Sequence, residues 1–235
     1  MTVKKKNKSR KLVVSLFAVA IVLLTLVAMV PLVISLVVGS GVKTDGVNAD
    51  KAEPASVDLN GRWKVVQGDA RNFTSAGFTF DEILPAEQTT TSGSTNVVSG
   101  QATVSQEVLE EASVTVDMTT LTTDKQVRDQ NMKSKLFKVD EYPEATFILT
   151  EPADLSAVPA DGMVGKVTLT GDLTIKGHSE RVSSNFDVLR DGDNLIIGGN
   201  LGINRTDFGV LTPDFLAAKV SEFGEINVRL TMNKA

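Results

Sequence analysis

The sequence predicts an all-β domain of antiparallel strands behind a single N-terminal membrane helix. Three observations carry this. Leu12 to Val38 run 27 residues without a charge. From residue 57 onward, apolar and polar residues alternate with period two in one segment after another, as half-buried strands require. Turns rich in Gly, Asn and Asp separate those segments.

The net charge of −5 over 235 residues hides a division. Lys4, Lys5, Lys6, Lys8, Arg10 and Lys11 make the first eleven residues strongly basic, and the first acid is Asp45. The remainder holds 18 bases against 29 acids, a balance that repels a polyanion and argues against nucleic acid as a partner. There is no cysteine and one histidine, His178. A disulfide framework, a thiolate nucleophile, a cysteine-based metal centre and a multi-histidine metal site are therefore excluded.

As a helix the uncharged run would span about 40 Å, more than the ~30 Å hydrocarbon core of a bilayer. It is roughly twice the apolar core of a cleaved signal peptide, so residues 12–38 are expected to anchor the chain. The basic flank, residues 1–11, places the N-terminus in the cytoplasm and the C-terminal domain outside it. Residues 39–56 are small and polar without apolar periodicity and are expected to form a flexible linker. Residues 57–235 suffice for one β-domain.

Within that domain Val167, Leu169, Leu173 and Ile175 share one face of a segment whose other face carries Thr168, Thr170, Asp172 and Thr174. The same alternation places Val114, Val116 and Met118 together. It does so again for Val182, Phe186 and Val188, for Leu195, Ile197, Leu201 and Ile203, and for Ile226, Val228, Leu230 and Met232. Less regular strands are expected at 62–66, 78–84, 96–104 and 146–150, which brings the total to about nine. Lys176–Ser179 and Arg190–Asn194 read as hairpin turns. Thr123–Lys135 reads as a helix with Asp124 as its N-cap, and Pro213–Lys219 as one or two helical turns capped by Thr212. About eight strands suffice to close a barrel that holds one small ligand, although a sandwich shows the same alternation.

His178 stands in a tight turn beside Ser179 and Glu180, with no recognisable nucleophile and orienting acid around it, so no catalytic residue is assigned. Arg128 with Asp129 and Arg205 with Asp207 have two readings. Each is an ion pair that pins an element end, or supplies an arginine fork to an anionic head group. No metal site is expected.

The block Val116-Asp117-Met118, Arg128-Asp129, Leu136-Phe137 and Tyr142-Pro143-Glu144-Ala145-Thr146-Phe147 resembles the central signature of the YceI-like domain. Gly171–Gly177 and then Asn204-Arg205-Thr206-Asp207-Phe208-Gly209 follow in the family's order. The resemblance implies an antiparallel lipocalin-like β-barrel with an apolar cavity for a long isoprenoid, such as a polyprenyl phosphate or quinone tail. It implies no catalytic residues and no cofactor beyond that lipid. His178 departs from the family, which often carries an apolar residue or threonine there. The cavity-lining candidates are the apolar-face residues Val114, Val116, Met118, Val167, Leu169, Leu173, Ile175, Phe186, Val188, Leu201, Ile203, Ile226, Val228 and Leu230, together with Phe78, Phe80 and Phe147. The scarcity of large aromatics favours an open lumen. The alternative is an envelope interaction or structural module whose barrel is filled by its own side chains.

Overall fold

The computed structural model describes residues 41–83, 88–212 and 219–235, with Val19, Ile21, Leu24 and Thr25 as isolated positions. The basic flank and nearly all of the expected anchor lie outside the described residues, as do residues 213–218 of the helical turn expected over Pro213–Lys219, while Lys219 itself begins a strand. Among the described residues no helix is long and apolar enough to cross a membrane.

Among the described residues eleven strands form one antiparallel sheet: β1 (Gly61–Val66), β2 (Ser75–Ile83), β3 (Gln88–Thr95), β4 (Val98–Ser105), β5 (Val108–Asp117), β6 (Glu144–Leu149), β7 (Ala153–Asp154), β8 (Val164–Ile175), β9 (His178–Asp191), β10 (Asn194–Asn204) and β11 (Lys219–Lys234). Eight of them close a barrel in the order β1-β4-β5-β6-β8-β9-β10-β11, with β11 returning to β1 through pairs from Trp63–Lys234 to Val66–Thr231. Closure removes the exposed sheet edge that eight half-buried strands would otherwise present. The length of β11 adds a fork. Its C-terminal end pairs with β1, and residues 219–229 pair with β2, so the β2–β3 hairpin branches from the barrel wall.

Alternation produces this arrangement strand by strand. In β8 every second residue from Gly165 to Ile175 is buried, and the residues between them are exposed or half-buried. The turn to β9 is two residues long, with positive φ at both Lys176 (51°) and Gly177 (75°). That is the geometry whose twist matches flanking strands.

Two cores fill the barrel unequally. At the closed end Trp63 packs with Leu59, Val104, Leu109, Leu155 and Leu195, and its Nε1 donates to the Leu59 carbonyl at 2.9 Å. Toward the other end lies a second cluster that includes Phe78, Phe80, Leu173, Ile203 and Phe208.

Four expectations are corrected. β3, Gln-Thr-Thr-Thr-Ser-Gly-Ser-Thr, has no apolar alternation, so periodicity did not predict it. It is held by ladder bonds and by hydroxyl bonds such as Thr79 Oγ1–Ser92 Oγ at 2.8 Å. The two-residue β7, formed by pairing with β5, was also not expected. The helix is shorter than 123–135: α1 spans Gln126–Asn131 and widens into a π-helical turn at Met132–Phe137. Asp124 is not its cap. It has φ of 64°, and Lys125 occupies the N-cap without a side-chain bond. Finally, residues 41–56 have an irregular backbone but are bound along the barrel. Gly41 bridges Ser92, Thr44 Oγ1 lies 2.7 Å from Ser75 Oγ, and Asn48 and Asn72 exchange two bonds of 2.8 Å. The Arg229 guanidinium donates to the Gly46 carbonyl, and the Glu53 and Ser56 amides donate to the Asp191 carboxylate and the Gly192 carbonyl. Every partner is distant in sequence, which is why a local reading saw only small polar residues.

Candidate functional site: an apolar cavity in the barrel

Between the Trp63 core and α1 the barrel encloses a cavity of about 580 Å³, within the range of small-molecule sites. Its wall is almost wholly apolar. All the lining candidates border it except Val167 and Val188, whose side chains are buried in the closed-end core instead. The alternation that defined the inward face is continuous along β8 and β9; Val167 and Val188 sit at the end where that face meets Trp63 rather than space. The filled-barrel alternative therefore describes one end of the barrel, and the other end is hollow.

The room comes from small residues paired with large ones. Ala76, Ala102, Ala112 and Ala145 contribute short wall positions. The phenylalanines lie over glycines. Phe80 pairs across the ladder with Gly224, and a Cβ added at Gly224 would fall 2.6 Å from the ring's Cγ and closer to other ring atoms. Phe78 pairs with Gly93, where a Cβ would meet the ring at 2.9 Å. Gly171 lies under Phe147 and Gly199 under Phe186 in the same way. Each missing side chain leaves a seat in which a ring lies against the wall instead of projecting into the lumen. A large aromatic does not fill a barrel when the neighbouring strand supplies a glycine.

Several lining residues escaped the sequence reading. Leu121 follows a 3₁₀ turn at Met118–Thr120, Met132, Leu136 and Phe137 belong to the π-helical turn, and Phe208 and Val210 to the β10–β11 connection, rather than to alternating strands. The i, i+4 spacing of Met132 and Leu136 was their available signal.

The polar lining residues are few. Lys125, Arg128 and Asn131 come from α1 and its N-cap, Arg205 and Thr212 from the β10–β11 connection, and Glu82, Thr91, Gln101 and Thr146 from strands. Neither arginine pairs with the acid expected beside it, which corrects the ion-pair reading. Arg128 donates Nε to Thr123 Oγ1 at 2.8 Å and Nη2 to the Thr123 carbonyl at 2.9 Å, and reaches Thr91 at 3.3 Å. Asp129 instead accepts from the Thr122 and Thr123 hydroxyls and the Thr123 amide at 2.5–2.7 Å. Burial would raise its pKa, but those bonds outweigh it and hold the carboxyl below the ordinary range. The two side chains grip one turn from opposite sides.

Arg205 is 7% exposed and donates to the carbonyls of Val210, Val220 and Ser221 and to Thr212 Oγ1, at 2.6–3.1 Å. No carboxylate among the described residues lies within salt-bridge distance of it, and Asp207 is exposed. Burial lowers its pKa against an opposing pull from Glu222. Its role in the fold is to tie the β10–β11 connection. His178 packs over Gly209, and Lys176 Nζ donates to the Gly209 carbonyl at 2.6 Å, so the β8–β9 turn braces that connection from outside.

The family model of the YceI-like domain matches residues 63–232, from the Trp63 core through most of β11. The chain belongs to the YceI-like family. No curated protein sequence matches it. Two solved structures share this YceI-like fold. BcnA of Burkholderia cenocepacia is 23% identical, with a TM-score of 0.54 over 67% of this chain and 95% of its own. A polyisoprenoid binding domain from Saccharophagus degradans, implicated in plant cell wall breakdown, is 16% identical, with a TM-score of 0.52 over 69% of this chain and 98% of its own. The matched YceI-like region starts after residues 41–56, so the bound strap lies N-terminal to it.

Proposed function

We propose that this chain is a membrane-tethered, extracytoplasmic lipid-binding protein that holds the tail of a long-chain isoprenoid, such as a polyprenyl phosphate or quinone, in its barrel. The observation that carries the reading is the hollow, apolar half of the barrel, with four phenylalanine rings seated on glycines and few polar groups in its wall. The polyisoprenoid binding described for the Saccharophagus degradans domain supports the same reading. Leu12–Val38 would supply the anchor and residues 1–11 the cytoplasmic flank.

The energetics favour a long tail. Each buried methylene contributes about 0.8 kcal/mol, and association costs about 4–15 kcal/mol, so a chain of only a few carbons would not bind well. The opening offers Lys125 and the half-buried Arg128 to an anionic or polar head. Arg205 already spends its donors on the fold. The assigned role is binding, not catalysis: His178 braces Gly209 and no residue is given a catalytic part.

Chain-length dependence tests this. Polyprenyl phosphates of increasing length, titrated calorimetrically into the full chain in detergent, should bind more tightly with each added unit until the cavity is full. Affinity that is independent of length would contradict the reading.

A further inference from the structure

The rim of the cavity carries exposed apolar side chains. Val127, which itself lines the opening, is 73% exposed. Across from it, Leu211 is 62% exposed between the lining residues Val210 and Thr212. Phe223 is 69% exposed opposite Asn204, where the register of β11 shifts beside the Arg205 corner. Surface apolar residues scattered singly, such as Met163 and Ile148, need no explanation, but Val127 lines the cavity, Leu211 lies between two lining residues, and Phe223 pairs with Asn204 beside the lining Arg205. The strap adds an independent observation. It runs along the barrel from Glu53, bound at the closed-end turn, to Gly41, which bridges Ser92 next to Thr91 and would meet the Arg128 guanidinium at 3.2 Å if it carried a Cβ. Thr91 and Arg128 both line the cavity. The chain thus leaves the barrel at the opening, and only Gly39 and Ser40 separate Gly41 from the uncharged run that ends at Val38. Three Cα steps reach about 11 Å at most.

From these two observations we infer that the rim is a bilayer-docking surface: Val127, Leu211 and Phe223 insert at the interface of the same phospholipid membrane that takes Leu12–Val38. Lipid then enters the cavity from the bilayer without crossing water. The inference rests on the proposed anchor and lipid-binding role. The strap holds Gly41 beside the lining residues Thr91 and Arg128, three residues from the end of the apolar run.

The chain has no cysteine, so a single introduced one can be labelled uniquely. Val127→Cys, Leu211→Cys and Phe223→Cys, and Asp193→Cys in the closed-end turn, would each carry a fluorophore on the full chain reconstituted in phosphatidylglycerol–phosphatidylcholine vesicles containing spin-labelled lipid. The three rim labels should be quenched by the lipid several-fold more than the label at 193. Equal quenching at both ends, or stronger quenching at 193, would overturn the inference. A Leu211→Ser/Phe223→Ser double variant separates docking from binding. It should bind polyprenyl phosphate in detergent as the parent chain does, yet take it up from vesicles about tenfold more slowly. Unchanged uptake would overturn docking. If the parent chain itself binds no polyprenyl phosphate in detergent, the lipid-binding reading fails, while the quenching map still decides where the rim lies.

Discussion

Gly224→Ala tests whether the glycine seats keep the lumen open. A Cβ there would fall 2.6 Å from Phe80 Cγ and closer to other ring atoms, while carbon atoms settle at about 3.5–4.0 Å, so the ring must retreat by more than about 1 Å. The three atoms nearest that Cβ all belong to the Phe80 ring, which lines the cavity. Gly224 has no positive φ, so alanine fits its backbone and gains about 0.4–1 kcal/mol from the unfolded state. Turning the ring off its rotamer costs about 0.5–1.5 kcal/mol, which leaves stability nearly unchanged. Affinity should change much more. A ring swung into the lumen displaces roughly two to three methylenes of a bound tail at about 0.8 kcal/mol each, a loss near 2 kcal/mol. That corresponds to roughly thirtyfold in Kd. Urea unfolding and calorimetric titration with a polyprenyl phosphate would be run on the same preparation, and Phe80→Leu added to Gly224→Ala should restore affinity. A stability loss of about 3 kcal/mol with unchanged affinity would refute the reasoning, because it would show a packed wall and a tail bound elsewhere.

Three further outcomes follow from the contacts. Arg205→Met should cost about 3 kcal/mol in urea unfolding, because one buried and two part-buried carbonyls lose their donor, at about 1–3 kcal/mol for a fully buried one; a loss below about 1 kcal/mol would contradict this. Asp129 has a lowered pKa in the folded state, so the stability it contributes is complete above the ordinary carboxylate range and disappears as pH falls through its folded value. The stability gap between the parent chain and Asp129→Asn should therefore stay constant above about pH 5 and narrow below about pH 4; a gap that does not vary with pH would count against it. Asn72→Ala removes both bonds to Asn48 and should destabilise the domain by about 2 kcal/mol and expose residues 41–56 to protease; an unchanged cleavage rate would refute the bound strap.

Much of the barrel was legible because period two is a property of one strand read alone. β8 shows it cleanly, and Leu169, Leu173 and Ile175 on its inward side border the cavity. β3 was not legible because it is held by its ladder to β2 and by hydroxyl bonds such as Ser92 to Thr79, which no local pattern encodes. The strap was missed for the same reason, since Asn48 finds Asn72 and Glu53 finds Asp191 only after folding. Adjacent charges misled at both arginines. Arg128 and Arg205 are bound largely by backbone carbonyls, groups present at every position and therefore silent in a sequence, and by threonine hydroxyls. The glycines could have been read further. Gly171 and Gly199 sit inside otherwise regular strands, where a glycine marks close approach by another group, and here that group is a phenylalanine ring.

The central claim is that the hollow end of the barrel is occupied by a long isoprenoid. Organic extraction of the purified full chain followed by mass spectrometry tests it most directly. The account predicts an isoprenoid released at roughly one molecule per chain and sharply reduced from Gly224→Ala. Repeated preparations with no isoprenoid, together with failure of the parent chain to take up added polyprenyl phosphate, would contradict it.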